Sequence, residues 1–388
     1  GFLNDKIEVD FDWYHKYTKD LLQRSVSIPS TTGYSSVAYA NVGSMTNDGW
    51  EMNINARDFI KIGKFAISAG VNFAQNYNEI KEMDQRVLDA VNSKWSATSR
   101  GAYLNRVQVG NALGSIYGFR SKGVYQYSYE YLQNYQKENS LSPLAYEGWV
   151  NEQLAAGRTF PIAVGADGKA IMTSNGEPQH LVYNYDAGSS TYVFQGGDAI
   201  YEDINHDGQI NALDIVYLGN SLPKLQGGFN FTFRYGRWSL KTRFAYRFGN
   251  KVVNAARMSL QQMSSTGNQT AAVNYRWRKD GDVTPMPRAI YVDGSTAAYN
   301  YQGSSRYVED GSFVRFNNLQ LAYNFDKKKI KKWGLNNLQL YLSVNNLWLW
   351  TKYSGTDPEI STGGWGVAID DSRTPRSKSF TASINIEF

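Results

Sequence analysis

A strict alternation of apolar and polar side chains is the feature that most limits how this sequence can fold. At the carboxyl end, Phe380, Ala382, Ile384, Ile386 and Phe388 share one face, and the polar residues between them share the other. Side chains alternate in this way on a β-strand, which presents successive residues to opposite faces. The same pattern recurs at residues 7–14, 50–56, 65–73, 229–235, 238–248, 316–325 and 338–350, and more weakly at 116–127 and 199–203. The sequence therefore predicts an all-β fold with about ten strands.

The length of the alternating segments separates two kinds of β protein. Most segments have roughly 9 to 15 residues, whereas strands of soluble proteins usually have about 5–6 and a tilted strand needs about 9–11 to cross a bilayer. Aromatic residues such as Trp13, Tyr17 and Trp350 lie near segment ends, where a membrane barrel carries its interfacial girdles. Short connections, such as Asp58–Gly63 and Gly236–Arg237, alternate with long ones at roughly 129–196, 250–304 and 353–373. We therefore expect an antiparallel transmembrane β-barrel with long extracellular loops. The alternative is a soluble sheet with one exposed polar face.

Charged residues lie on the polar faces, well inside the segments. The six that matter here are Glu8, Asp10, Asp12, Lys241, Arg243 and Arg247. On the lipid face of a barrel, a charge costs up to about 2–4 kcal/mol at the bilayer midplane. We therefore expect these six side chains to face a wet lumen and the apolar faces to contact lipid. In a soluble sheet, the same six would face bulk water.

The composition excludes several functions. The chain has no cysteine and three scattered histidines, so thiolate sites and histidine-rich zinc sites are not expected. The net charge of +5 is small for 388 residues, and the basic residues do not cluster as nucleic-acid binding requires. The common nucleophile, phosphate-loop and zinc-protease motifs are missing from the sequence, so we do not expect an enzyme. We interpret Asp357 and Glu359 as a surface turn, and Asp370 and Asp371 as a solvated loop.

One segment, residues 203–214, departs from the strand pattern and matches a twelve-residue calcium loop. Oxygen-bearing side chains occupy positions 1, 3, 5, 9 and 12, and a glycine occupies position 6, where such a loop turns sharply. We expect a structural calcium ion held by Asp203, Asn205, Asp207, Asn211 and Asp214 and by the carbonyl of Gln209. Position 12 carries aspartate rather than glutamate, which favours low affinity. The alternative is an Asx-rich turn without a metal.

Several motifs, taken in order, resemble the SusC/RagA family of TonB-dependent outer-membrane transporters. The motifs are D-W-Y at 12–14, N-V-G at 41–43, D-G-W-E at 48–51, G-N-A-L-G-S-I-Y-G at 110–118, G-D at 197–198, L-G-N at 218–220, G-G at 227–228, D-G-S-F-V-R-F-N-N at 310–318, V-N-N-L at 344–347 and Y-S-G-T-D-P-E at 353–359. The family usually has proline where Ala112 stands. Each motif is weak alone, but the ordered set covers nearly the whole chain.

The resemblance implies more than the alternation does. Such proteins are plugged outer-membrane barrels of about 22 strands that import glycans, oligosaccharides or peptides into Bacteroidota-type bacteria. A SusD-like surface lipoprotein covers the barrel, the TonB complex drives import, and such pairs usually dimerise. Residues 1–388 would then form the C-terminal part of the barrel, with 129–196 as an extracellular loop or subdomain. Because Gly1 leads straight into strand-like sequence, we expect a piece of a longer chain that lacks the plug and the N-terminal strands.

The terminal segment resembles the signal by which outer-membrane proteins are recognised for insertion. The residues that would carry this signal are Phe380, Ile384, Ile386 and Phe388. Two other functions remain open at this point: a passive porin completed by these strands, and a secreted, calcium-stabilised carbohydrate-binding β protein. The predicted lumen carries both signs of charge, so the sequence does not identify the substrate.

Overall fold

The alternating segments form the strands of the molecule. The computed structural model describes residues 2, 6–27, 36–92, 107–184, 191–264, 266–290, 296–362, 366–372 and 374–388. In chain order the strands are β1 (Ile7–Thr18), β2 (Leu22–Ser27), β3 (Ser36–Asn41), β4 (Gly43–Ile62), β5 (Phe65–Met83), β6 (Ser115–Phe119), β7 (Ser121–Val124), β8 (Val182–Tyr183), β9 (Tyr192–Val193), β10 (Ala199–Tyr201), β11 (Gln209–Ile210), β12 (Ile215–Asn220), β13 (Leu225–Tyr235), β14 (Trp238–Phe248), β15 (Lys251–Asn254), β16 (Val308–Asp310), β17 (Phe313–Asn324), β18 (Asn337–Thr351), β19 (Ile369–Asp370) and β20 (Ser379–Glu387).

One large antiparallel sheet dominates the described part of the chain. Its eight strands follow the order β1-β4-β5-β13-β14-β17-β18-β20, and each neighbouring pair is antiparallel. These strands coincide with the eight clear alternating segments, so the prediction of a mostly β, antiparallel fold is confirmed. Within the described residues, β1 and β20 are the outer strands, and the sheet does not close on itself.

The two weaker segments do not join this sheet. In the 116–127 segment, β6 pairs with β12 and β7 pairs with β10, the strand of the 199–203 segment. The prediction that both segments are barrel strands is therefore wrong. Every residue of β6 is buried, so this strand lies inside a layer built by the long connections and has no solvent face or lipid face.

Connections alternate in length along the main sheet. Two-residue turns join β4 to β5 at Gly63 and β13 to β14 at Gly236. Both glycines have a φ of +57°, a conformation that such hairpin turns require. At the opposite end of the sheet, the chain leaves for residues 84–224, 249–312 and 352–378. The sequence places the first turn at Asp58–Gly63, which is wrong because β4 continues through a bulge between Ala56 and Ile60.

One face of the sheet is aromatic. Phe229, Phe244 and Phe316 stack across three adjacent strands, with ring centroids 4.5 Å and 4.3 Å apart. At the edge of the sheet, Trp13 is 69% exposed. An apolar surface of this extent is rare on a soluble monomer and marks a contact with lipid or protein.

Helices lie in the connections between strands. They are α1 (Gln85–Asn92), α2 (Tyr129–Glu138), α3 (Pro143–Ala155), α4 (Ala255–Gln261) and α5 (Lys327–Ile330), with short 3₁₀ helices at Ala212–Asp214, Ala271–Tyr275, Thr296–Tyr301, Ser305–Tyr307 and Lys331–Trp333. Ser128 and Ser142 cap α2 and α3, because their hydroxyls accept N–H groups of the first turn. None of the helices within the described ranges has the length and apolar character needed to cross a bilayer.

A second core lies inside the predicted 129–196 subdomain. Leu132 of α2 packs with Tyr146 and Val150 of α3, and Phe160, Ile162 and Ala170 complete this buried cluster. Residues of α2, α3 and the chain that follows them therefore share a hydrophobic core. Leu181, Tyr183 and Phe194 of the same segment instead pack against residues outside it, such as Phe119 and Tyr299. The subdomain stays a prediction. Its extracellular position stays a prediction, and residues 185–190 of it lie outside the described ranges.

Candidate functional site

The six charged residues predicted to face a lumen share one face of the main sheet. The register places Asp10 opposite Asn53, and Arg243 between Asn230 and Asn318. Residues directly opposite each other on neighbouring strands point to the same side of a sheet. Following the register from strand to strand brings together Glu8, Asp10, Asp12, Lys241, Arg243 and Arg247. Amide and hydroxyl side chains continue this polar face through β17, β18 and β20.

Most acidic and basic residues of the polar face lie on different strands, although Lys16 shares this face of β1 with the three acidic residues. The acidic group is Glu8, Asp10 and Asp12 on β1 with Glu51 on β4, and the basic group is Lys241, Arg243 and Arg247 on β14. β14 is four strands from β1, which corresponds to about 19 Å along the sheet at a strand spacing of about 4.8 Å. Within the described residues, the three basic side chains form no ion pair with a carboxylate. They therefore present uncompensated positive charge.

The Y-S-G-T-D-P-E segment forms a buried ion-pair network, which corrects its interpretation as a surface turn. The guanidinium of Arg315 contacts Asp357 Oδ1 at 2.6 Å and Glu359 Oε2 at 3.3 Å. Glu359 also binds Arg376 at 2.8 Å. The Arg315 side chain is 4% exposed, so its charge needs these partners. The network fixes the loop after β18 to β17 of the sheet.

Asp370 is also buried, so its interpretation as part of a solvated loop is wrong, while its neighbour Asp371 is exposed as expected. The Asp370 carboxylate accepts a hydrogen bond from the Tyr353 hydroxyl at 2.6 Å and another from the Ser372 N–H at 3.0 Å. Burial and this bond to a carboxylate raise the pKa of Tyr353. Tyr353 therefore stays a hydrogen-bond donor at physiological pH.

Glu309 joins three segments at the same end of the sheet. Its Oε1 accepts hydrogen bonds from Arg257 at 2.7 Å, Ser354 at 2.8 Å and Asn254 at 3.0 Å. A carboxylate that accepts several hydrogen bonds at once is held in one position. Glu309 thus ties α4 and the Tyr353 segment to β16.

Asp198 is likewise a carboxylate that several segments of the long connections hydrogen-bond at once. It is fully buried, and it binds Arg288 Nε at 2.6 Å, the Tyr192 hydroxyl at 2.6 Å and Asn300 Nδ2 at 3.2 Å. The sequence interpretation selected neither Glu309 nor Asp198 as a site residue. The sequence signal for Asp198 is its position in the G-D motif, because its partners Arg288 and Asn300 lie 90 and 102 positions away along the chain.

The predicted calcium loop folds around its own acidic side chains. Asp203 accepts the Gly208 N–H at 2.8 Å, and Asp207 accepts the Gln209 N–H at 2.8 Å. Asp214 is buried and accepts the N–H groups of Ile204 and Asn211 at 2.8 Å each. Burial raises the pKa of Asp214, the two N–H groups oppose this, and the carboxylates of Asp203 and Asp207 add to the rise.

The remaining predicted ligands lie in the same loop. Asn205 Nδ2 donates to Asp207 at 2.9 Å, and Asn211 Nδ2 approaches Asp207 at 3.5 Å. The carbonyl of Gln209 belongs to β11, which pairs with β8. Within the described residues, no cluster of three or more acidic, histidine or cysteine side chains has metal-site geometry. Amide and carbonyl oxygens would therefore have to complete a calcium site, and the metal stays a prediction.

The predicted insertion signal lies on the last strand of the sheet. Phe380, Ile384 and Ile386 share one face of β20, and this face continues that of Leu342 on β18. All residues of β20 are exposed, because one of its edges has no neighbouring strand among the described residues. Phe388 follows at the end of the sheet that carries the short turns.

Comparisons with known proteins agree with this architecture. No protein-family model matches the sequence. The chain is 29% identical over 389 residues to the TonB-dependent receptor P39 of Formosa agariphila. This alignment covers 99% of the chain and 34% of the relative. It is 24% identical over 393 residues to the TonB-dependent receptor SusC of Bacteroides thetaiotaomicron, covering 100% of the chain and 31% of the relative. The chain thus spans about one third of the length of the curated relatives it matches. The solved structure of the RagAB peptide transporter superposes with a TM-score of 0.64 at 19% identity, covering 99% of this chain and 34% of that chain.

The chain is a portion, about one third, of a SusC/RagA-type TonB-dependent receptor. The resemblance in the ordered motifs is thereby confirmed. Receptors of this type lie in the outer membrane of Bacteroidota-type bacteria, as the sequence predicts. Receptors of this type are transport proteins. The solved structure at 19% identity supports the fold of this portion.

Proposed function

We propose that this chain is the C-terminal part of the transmembrane barrel of a receptor that imports glycans, oligosaccharides or peptides across the outer membrane. The observation that carries the proposal is the two-faced sheet. One face is aromatic and apolar over adjacent strands, and the other is polar and charged over the same strands. A wall between lipid and a water-filled lumen needs both faces at once.

The two outer strands support the presence of further barrel strands. β1 and β20 each leave one row of N–H and C=O groups without a neighbouring strand among the described residues. In hydrocarbon, unpaired backbone groups of this kind are too costly to persist, so spanning sheets close into barrels. We infer that strands outside this chain pair with both edges, and that the plug also belongs to the part of the receptor outside this chain.

The partners follow from the same proposal. The similar solved structure is a two-component assembly by name, the RagAB peptide transporter. We extend this arrangement to a SusD-like surface lipoprotein that covers the end of the sheet with the long connections, with two such pairs forming a dimer. The TonB complex would supply the energy through the plug.

Uptake by cells that carry the full-length receptor tests the function. We expect growth on one oligosaccharide or peptide mixture to require both the receptor and TonB. A receptor-dependent uptake that persists without TonB would identify a passive porin instead. Loss of uptake with normal receptor levels after deletion of TonB supports active import.

Calcium is a separate part of the proposal. The carboxylates of Asp203, Asp207 and Asp214 lie close enough for two of them to raise the pKa of the third, and a divalent cation would relieve this repulsion. Extracellular calcium sites bind at about 10⁻⁴–10⁻³ M, so millimolar calcium would fill even a weak one. The role would be structural, because no base lies beside an open coordination position in the described loop.

A further inference from the structure

The connection between β17 and β18 carries the densest run of basic residues in the sequence. Five of the six residues from 327 to 332 are lysine, and all five side chains are exposed. The acidic residue of this lysine turn (residues 326–334) is Asp326, which is already paired with Arg237. Within the described residues, none of the five lysines forms an ion pair. The lysine turn therefore presents a concentrated positive charge.

The backbone of the lysine turn is held in one conformation. Asp326 Oδ1 accepts the Lys328 N–H at 2.9 Å and so caps α5. Ile330 is buried, and its carbonyl accepts the Leu335 N–H at 3.3 Å. Gly334 ends the turn with a φ of +74°. Because the backbone is already ordered, a partner that binds the lysines does not have to order it.

Aromatic residues of the apolar face lie directly beside the lysine turn. The rings of Trp238 and Tyr323 have centroids 4.6 Å apart, and those of Tyr323 and Phe325 have centroids 4.9 Å apart. Trp238 and Tyr323 are register partners at the end of the sheet that carries the two-residue turns. Aromatic rows at the end of a spanning sheet mark the boundary between hydrocarbon and lipid head groups.

The distance from this aromatic row to the lysines matches the head-group layer. Lys327 follows Phe325 by two positions, so the chain between them spans at most about 7 Å. The head-group layer is roughly 5–8 Å thick on each side of the hydrocarbon. Trp333, at the other end of the lysine run, is 67% exposed, and tryptophan is enriched at the same interface. The lysines therefore lie at the level of lipid phosphates.

The charge and the position together select the partner. Ammonium groups only donate hydrogen bonds, so five of them favour a partner with several anionic oxygens. An acidic cell-wall polymer would satisfy the charge, but it would not account for the exposed Trp333 or for the neighbouring aromatic row. We propose that the lysine turn binds the phosphate groups of anionic phospholipids in the periplasmic leaflet of the outer membrane. The periplasmic position of this turn rests on the proposed function.

The test uses the full-length receptor, purified in detergent and mixed with micelles that contain phosphatidylglycerol or, as a neutral reference, phosphatidylcholine. Native mass spectrometry counts the lipid that the receptor retains. A lysine close to an anionic surface contributes about fivefold in affinity. The triple variant Lys327→Gln, Lys328→Gln and Lys329→Gln should therefore bind phosphatidylglycerol about a hundredfold more weakly, with no change for phosphatidylcholine.

Two control variants match this glutamine variant. Lys137→Gln, Lys169→Gln and Lys279→Gln together remove the same charge from exposed positions on the long connections, and they should leave phosphatidylglycerol binding unchanged. Arginine at positions 327–329 keeps the charge and should bind like lysine. Raising the ionic strength from about 0.1 M to about 1 M shortens the Debye length from about 10 Å to about 3 Å, so it should release phosphatidylglycerol from the unmodified receptor.

Equal retention of phosphatidylglycerol by the glutamine variant and the unmodified receptor would overturn the lipid site, as would an equal loss in the control on the long connections. Lysine-dependent binding of soluble peptidoglycan fragments without retention of phosphatidylglycerol would also overturn it and would identify a cell-wall contact. Uptake by cells is measured separately. TonB-dependent uptake that persists when lipid retention fails leaves the proposed function standing, whereas receptor-dependent uptake without TonB contradicts that function whatever the lipid result.

Discussion

Removing the guanidinium of Arg315 should release the loop after β18 from the sheet. In Arg315→Leu, the buried carboxylate of Asp357 loses its cationic partner at 2.6 Å. Breaking a buried ion pair in this way costs about 3–5 kcal/mol. Asp357 keeps its bond from the Glu359 N–H at 2.9 Å, and Glu359 keeps Arg376 at 2.8 Å. We therefore expect a value near the lower limit, about 3 kcal/mol.

Hydrogen exchange of the Glu359 N–H measures this loss. A decrease of about 3 kcal/mol in the free energy of local opening corresponds to roughly a hundredfold faster exchange. The measurement is made by mass spectrometry on peptides covering residues 353–362 of the full-length receptor. Arg57→Leu is the control, because its pair with Glu8 is exposed at 3.4 Å and contributes little.

A second substitution distinguishes the effect of an unpaired buried charge from general misfolding. Adding Asp357→Asn to Arg315→Leu removes the unpaired charge and keeps an oxygen that accepts the Glu359 N–H. Exchange in the double variant should be slower than in Arg315→Leu. Unchanged exchange in the single variant would refute the reasoning, and so would a double variant that is no slower than the single one.

Three further predictions concern the sheet, its last strand and the calcium loop. A membrane-impermeant maleimide should label Arg243→Cys and not Phe244→Cys in the full-length receptor, and the reverse pattern would mean that the assigned sides of the sheet are exchanged. Deleting Phe388 should reduce inserted receptor far more than total synthesis, measured by fractionation and immunoblotting, and equal insertion contradicts this. The pKa of Asp214 is raised in the folded loop. In receptor treated with a chelator, the protection of residues 203–214 from hydrogen exchange should therefore be highest at acidic pH and should fall as the pH rises through that pKa. Calcium at ten times its dissociation constant should restore about 1.4 kcal/mol, and Asp207→Ala should abolish this restoration, whereas an equal response in the variant excludes the site.

The strands of the main sheet were predictable because the alternation that indicates them involves only residues close together in the sequence. A residue such as Phe244 shows its face through its neighbours two positions away, and the pattern needs no knowledge of distant contacts. The sequence also predicts which face of the sheet is polar, since Lys241 and Arg243 both alternate with the aromatic residues of β14. The bulge near Asp58 was not, because an inserted residue breaks the alternation and resembles a turn.

The buried carboxylates were not predictable from their surroundings in the sequence. Asp357 follows Gly355 and precedes a proline, which is typical of an exposed turn. Its partner Arg315 lies 42 positions earlier. Asp370 depends in the same way on Tyr353. Pairs of this kind become visible only when the fold has brought two long connections together.

Ser128 and Ser142 show a signal that the sequence contained but the strand pattern obscured. Each serine precedes a helix in the 129–184 region, and Pro143 occupies a first helical position. These are ordinary helix-start signals. They predict the two helices that the structure has at Tyr129–Glu138 and Pro143–Ala155.

The separation of charge on the polar face sets a length scale for any solute that moves along it. The acidic strand β1 and the basic strand β14 are about 19 Å apart along the sheet, while the Debye length at physiological ionic strength is about 8 Å. Each strand therefore attracts its own counter-charge almost independently of the other. A zwitterionic solute would gain from both strands only if its opposite charges were themselves about two Debye lengths apart.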